Sequence, residues 1–316
     1  MRPNVRFILG FAAIVGASHI GVAFELKNGP FDGIPFRPTV GVTWAASSRV
    51  PESLAVYSIA EVKLSQGSIS NGMAIGSFKS INLIKSRDKT LLEFRDKPGE
   101  DDWTRVLKMS VTQGWIKYYD KMAGGKPSHE VPSVQEVEKL AFRYFVLLGG
   151  DTNQLPPRPW PHSEGTIESY DKPGGHLISK GISRRSICLF RQIDGISVMG
   201  NSLSVDFSND SKPIGLDMNW PPLNPVQRYR VATKDEMLAL VKSGKSFIQV
   251  FPPPPVDIAP AKSYVVKNVL PLYSESNNEG KRLMRPYGSL LMEADIDGRP
   301  IEFVVNCPIL TDEKTR

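Results

Sequence analysis

Ser186-Ile-Cys-Leu-Phe-Arg-Gln-Ile-Asp-Gly195-Ile-Ser-Val-Met-Gly200-Asn-Ser-Leu-Ser-Val-Asp-Phe207 is the stretch on which the fold turns. It reads as a strand to Ile193, a two-residue turn at Asp194-Gly195 and a returning strand, because this dipeptide tolerates the positive φ that tight hairpins need. Ile196 and Val198 keep one parity, whereas Leu203, Val205 and Phe207 keep the other. The switch predicts a bulge or turn at Gly200 that restores the buried face.

The pattern extends outward on both sides. Asn209-Asp210 is read as another turn, and Ile214, Leu216, Met218 and Trp220 alternate as a further strand. Upstream, Ser133 and Glu136 form a capping box ahead of an apolar stripe at Val134, Val137, Leu140, Ala141, Tyr144, Phe145 and Leu148, and Gly149-Gly150 ends that helix. Thr233 and Glu236 repeat the cap before a shorter helix that ends at Gly244. Strands are then expected at Tyr264 to Tyr273, Tyr287 to Ala294 and Pro300 to Val305, with an Asp297-Gly298 turn. Pro271 should push the first of them toward an edge or a break.

The two caps and the two Ile-Asp-Gly turns are each offset by about one hundred residues, which suggests a duplicated plan. The expected fold class is α+β, with mainly antiparallel sheets and two helix-plus-β-meander units at 131–225 and 226–316. Residues 24–130 form a β-rich N-terminal region, with strands at Leu54 to Leu64, Leu91 to Arg95, Val106 to Val111 and Trp115 to Tyr119. Asp151 to Ser183, which holds Pro156, Pro157, Pro159 and Pro161, is read as a long loop or lid.

The N-terminus carries a different kind of signal. Arg2 and Arg6 precede an acid-free apolar run from Phe7 to Ala23, and Gly21-Val22-Ala23 supplies a small-x-small end. These features describe a signal peptide at 1–23, cut after Ala23, although Val15-Gly16-Ala17 offers an earlier end. An uncleaved single anchor is the alternative. The expected location is therefore secreted or extracytoplasmic, in the cell envelope. Loss of 1–23 removes two Arg and no acid, which lowers the formal charge from +6 to +4. The short basic clusters (Lys85, Arg87, Lys89; Arg184, Arg185; Lys281, Arg282, Arg285) are read as solvated faces, and no nucleic-acid partner is expected. The only cysteines, Cys188 and Cys307, could bridge in an oxidising compartment or remain two buried thiols.

Phe190-Arg-Gln-Ile-Asp-Gly-Ile-Ser-Val-Met-Gly-Asn201, followed by Leu203-Ser-Val-Asp-Phe207 and Ile214-Gly-Leu216, resembles the central part of the PepSY superfamily and the related propeptide domain of secreted metallopeptidases. Ser197 stands where that pattern usually carries proline. The wider plan is similar to the extracytoplasmic regulators of a Gram-positive cell-wall sensor kinase. The resemblance implies a role in restraining or modulating another exported or membrane protein, and it carries over no active-site residue.

Motifs for chemistry are incomplete. Ser202 in Gly200-Asn-Ser-Leu-Ser204 lacks the closing glycine of a nucleophile elbow, and Gly244-Lys245-Ser246 lacks the first glycine of a phosphate loop. Glu293-x-Asp295-x-Asp297-Gly298 opens like a calcium loop but has Val304 at the closing position. His129, His162 and His176 lack metal-ligand spacing, and Glu100-Asp101-Asp102 is read as a solvated turn. Trp160 and Trp220 are assigned to packing, with an aromatic binding surface as the alternative. No catalytic, cofactor-binding or metal residue is therefore assigned, and no cofactor is expected. The favoured function is an exported non-catalytic binding protein, a regulator or inhibitor of another envelope or secreted protein. Its rival is a secreted hydrolase with a site in the 151–183 loop, assembled from His162, His176, Glu164 and Asp171.

Overall fold

A computed structural model describes residues 34–62, 66–78, 82–84, 90–97, 103–121, 131–170, 177–208, 211–249, 254, 257–278 and 280–315. The signal segment 1–23 lies outside them, as do His129, His176, Asp171, the 100–102 run, the basic cluster 85–89 and the 209–210 turn.

The first half contains β1 (Ile34–Pro35), β2 (Val42–Trp44), β3 (Ser53–Ile59), α1 (Gln66–Ile75), β4 (Asn82–Ile84), β5 (Leu91–Arg95), β6 (Arg105–Ser110), β7 (Trp115–Asp120) and α2 (Val134–Leu147). There follow β8 (His162–Tyr170), β9 (Leu177–Ile193), β10 (Ile196–Phe207), β11 (Pro213–Asn219), β12 (Leu223–Val231) and α3 (Lys234–Lys242). The chain then forms β13 (Phe247–Ile248), β14 (Ser263–Asn278), β15 (Lys281–Ile296), β16 (Arg299–Pro308) and β17 (Leu310–Thr315).

This is a mostly β molecule, and the expected α+β class with two helix-plus-meander units is overturned. Among the described residues, hydrogen-bonded pairing links seventeen strands into one mixed network, against three α-helices. The strands also ignore the expected unit boundaries: β7 pairs with β11, and β3 pairs with both β12 and β15. The physical reason is that local periodicity finds strands but says nothing about which strand lies beside which. Several segments also escaped the reading, the short strands β1, β2, β4 and β13 among them. The supposed lid at 151–183 contains β8 and the start of β9, while α1, β12 and β17 carry weak or charged patterns.

The network has two parts. An eight-stranded antiparallel sheet runs β4-β5-β6-β7-β11-β10-β9-β8. A second part runs β1-β13-β16-β15-β14-β2, with β3 beside the end of β15 and followed by β12 and β17. Parallel contacts occur at β14–β2 and where Val198 of β10 meets Tyr273 of β14.

Each part has its own apolar core. Both helices α1 and α2 serve the eight-stranded sheet. Ser133 caps α2 by accepting a hydrogen bond from the Glu136 N–H at 3.3 Å, while the Glu136 carboxylate accepts from Ser211 Oγ at 2.8 Å. The inward stripe Val137, Ala141 and Phe145 is fully buried against Leu189, Leu203, Val205 and Phe207. Each such large side chain contributes about 1.5–3 kcal/mol by leaving water. Helix α1 lies close to the sheet because Gly72 has no side chain: a Cβ there would sit 3.2 Å from Leu107. Asn71 Nδ2 donates to the Leu147 carbonyl at 2.7 Å and ties α1 to α2. The second core gathers Phe36, Tyr264, Val266, Leu290, Met292, Phe303 and Val305, with Met237 and Val241 of α3. Thr233 and Glu236 make the complete reciprocal cap of α3.

The hairpin β9–β10 joins the cores. Its pairing shifts between Ser197 and Ser202, and Gly200 has φ +73°, as the parity switch predicts. Ile193, Ile196 and Val198 consequently enter the second core, whereas Leu189, Leu203, Val205 and Phe207 stay in the first.

Candidate functional site

Strand alternation gives the eight-stranded sheet two distinct faces. The inner face carries Phe94, Leu107, Met109, Ile116, Leu203 and Met218 toward the helices. On the outer face, β7 presents Trp115, Lys117 and Tyr119. Register places Asn219, Asp217 and Gly215 of β11 opposite them, and then Ser202, Ser204 and Asp206 of β10. Helices α1 and α2 pack on the opposite, inner face. Lys117, Tyr119 and Asp217 are exposed, and Trp115, Ser202, Ser204, Asp206 and Asn219 are half-buried.

Charges on this face neutralise one another. Lys117 Nζ lies 3.0 Å from Asp217, and Glu93 takes both Arg95 at 2.6 Å and Lys108 at 3.2 Å. Burial pushes the Glu93 carboxyl up, but the hydrogen bond from Arg95 and the nearby Lys108 charge outweigh it and hold the group below its ordinary range. Aromatic rings are interleaved with these pairs. Lys117 lies over Trp115 at 5.7 Å and Lys121 over Trp103 at 3.5 Å. The Trp115 indole N–H donates to Gln113 Oε1 at 2.9 Å.

Gln113 also lines an open groove of about 600 Å³ at the end of β7, with Ser58, Glu61, Val226, Lys281 and Arg282. Groove and sheet face therefore meet at one side chain. Arg282 is forked onto Glu275.

The residues weighed from sequence fall elsewhere and do not converge. His162 is exposed at the start of β8, and Glu164 is held by Arg185 Nε and Nη2 at 3.0 and 2.6 Å. Arg185 also donates to the Pro132 carbonyl and is buried, so it is not the solvated cation expected of it. Trp160 stacks on Phe142 and Trp220 meets Phe145 edge-on at 4.7 Å, both inside the first core. Glu293 pairs with Lys267 and Asp297 with Lys262, and among the described residues no group of metal-ligating side chains gathers. Cys188 and Cys307 are free, buried thiols. Burial pushes them up to about 11 and about 12, respectively.

Sequence reasoning missed Arg191, a guanidinium only 1% exposed. It donates to Gln154 Oε1 at 2.8 Å, Asn201 Oδ1 at 3.0 Å and the Pro221 carbonyl at 2.7 Å, and it lies over the Trp220 ring. Burial pushes it down to about 10. The signal was available: Arg185 and Arg191 keep the same parity as the inward-facing Ile187 and Leu189. It ties β9 to Asn201 of β10, to Pro221 ahead of β12 and to Gln154.

No protein-family model matches this chain, and no curated protein sequence resembles it.

Proposed function

We propose that the chain is an exported, non-catalytic binding protein of the cell envelope, and that it binds through the outer face of the eight-stranded sheet. The observation that carries this reading is the face itself. It is a wide antiparallel surface with mutually neutralised charges and an exposed tyrosine, Tyr119, on the side of the sheet away from helices α1 and α2. Such a surface suits recognition, because its groups are already arranged and little ordering is required on binding. The hydrolase rival meets strand β8 where it needed a loop, and its Glu164 is committed to Arg185. A modulating role toward another exported or membrane protein is the form that the resemblance to PepSY-like regulators would give this function.

Export rests on Arg2, Arg6 and the apolar run to Ala23. Sequencing of the mature N-terminus from native cells is expected to begin at Phe24; an intact cytoplasmic Met1 form as the sole product would overturn export. For the binding surface, the tagged chain is cross-linked in its native cells beside a Tyr119→Ala variant. Loss of the captured envelope component in the variant is expected. Identical capture by both proteins would move the binding surface elsewhere, and turnover of an ester, peptide or glycoside substrate by the purified chain would overturn the non-catalytic reading.

A further inference from the structure

Four observations on the outer face converge on one ligand chemistry. Tyr119 is 45% exposed, although it sits within a strand paired on both sides. Directly opposite it is Gly215, which leaves bare backbone beside the ring. Asp206 borders that gap. A Cβ on Gly215 would lie 3.1 Å from Asp206 Oδ2, so this oxygen leans over the glycine, while Oδ1 accepts from the Ser186 hydroxyl. Finally, Trp115 lies four residues along the same strand, roughly 13 Å from Tyr119 at the usual rise per residue. Between the two rings stands the Lys117–Asp217 ion pair.

We infer that this row binds an extended, uncharged glycan of the envelope, with a sugar ring resting on Tyr119 and the chain running past the Lys117–Asp217 pair toward Trp115. The inference rests on the outer face being the binding surface. A pyranose presents an apolar C–H face and a rim of hydroxyls. An exposed aromatic ring matches the first, because its face is apolar and carries partial negative charge. A carboxylate oxygen, an ion pair and serine hydroxyls match the second, because they offer both acceptors and donors in fixed positions. Asp206, Ser204, Asp217 and Asn219 supply that rim within two strands. A nucleic acid fits less well, because Asp206, Asp217 and Glu93 would face its phosphates while the cations are already paired. A protein interface would want a contiguous apolar centre, and here the rings are separated by charge.

The test uses the full chain in native gels cast with hydroxyethylcellulose or glycol chitin, with dextran sulfate and a single-stranded oligonucleotide as polyanion controls. Retardation by at least one neutral glycan is expected. Tyr119→Ala should weaken it by tenfold or more, and Gly215→Val, which fills the gap beside Tyr119, by at least fivefold. Val146→Asp on the helix side should leave it unchanged, and unfolding midpoints of all variants should show that each is folded. Migration unaffected by every neutral glycan, retardation by the polyanions alone, or retardation that survives both face variants would each overturn the inference. Capture of a protein through this face without glycan binding would overturn the glycan and leave the binding reading standing. Cleavage of the glycan would do the reverse, keeping the ligand and removing the non-catalytic role.

Discussion

The chain uses the tripeptide Ile-Asp-Gly twice as a hairpin turn, at 193–195 and at 296–298, and the two copies have opposite fates. Their backbones agree closely: Asp194 and Asp297 have φ +53° and +51°, and Gly195 and Gly298 have +75° and +77°. The first turn has buried flanks. Ile193 and the following Ile196 are each 6% exposed in the second core, and Asp194 accepts from Tyr57 at 3.3 Å and from Arg228 at 3.4 Å. The second turn projects into water. The Asp297 side chain is 87% exposed, Ile296 is half-buried, and Arg299 stands where the first copy has Ile196. A local motif thus sets the turn, and the residue that follows sets its environment.

Substitutions can separate those two contributions. The largest difference is expected at the isoleucines. Ile193→Ala should cost about 2–4 kcal/mol through lost transfer and a residual cavity, and Ile296→Ala less than about 1, both read by urea unfolding. Equal losses would mean that the first turn is not a core element. Gly195→Ala and Gly298→Ala should cost the same as each other, about 1–2 kcal/mol, because the strain lies in the positive φ and not in the surroundings. A gap of more than about 1 kcal/mol between them would break the claim that the turns are equivalent.

Smaller effects sharpen the picture. Asp194→Asn keeps a residue that tolerates the left-handed conformation and removes only the charge. It should cost about 0.5–1 kcal/mol, and Asp297→Asn nothing measurable, as for an exposed pair. Burial chiefly, and the Asp194 charge secondarily, raise the Tyr57 phenol, so Asp194→Asn should also lower its titration midpoint in an absorbance titration. The smallest expected effect is no effect. Cys188 and Cys307, pushed up to about 11 and about 12 by burial, should stay unreactive to a thiol-specific dye at pH 8 and react only on unfolding. A native-state reaction at either thiol would show that its core is open.

Much of the local structure was legible in the sequence because its causes are local. The Ser133 and Thr233 caps, the two Asp-Gly turns and the bulge at Gly200 each follow from a few adjacent residues. What failed was non-local or weakly patterned. Helix α1 is rich in Gly and Ser (Gly67, Ser68, Ser70, Gly72), so its short apolar set Ile69, Met73 and Ile75 gives a weak helical signal, and its seat against β6 depends on the close approach at Gly72. Strand β12 contains Pro225, tolerated because the pairing with β3 slips between Pro225 and Gln227. Strand β17 is half charged (Asp312, Glu313, Lys314) and is held by its partner β12. The candidate site divides in the same way. The alternation of Trp115, Lys117 and Tyr119 could be read along β7, but their neighbours Gly215 and Asp206 come from strands about one hundred residues away.

Gly200 gives β10 membership in two hydrophobic centres at once, and this bears on cooperativity. Melting either core would release Ile196 and Val198 or Leu203, Val205 and Phe207 from their partners, with only a few residues of strand between the two groups. Neither half can lose its packing without loosening a strand that the other half needs. The molecule should therefore unfold in a single calorimetric transition, with the van't Hoff and calorimetric enthalpies in agreement, despite having two separate interiors.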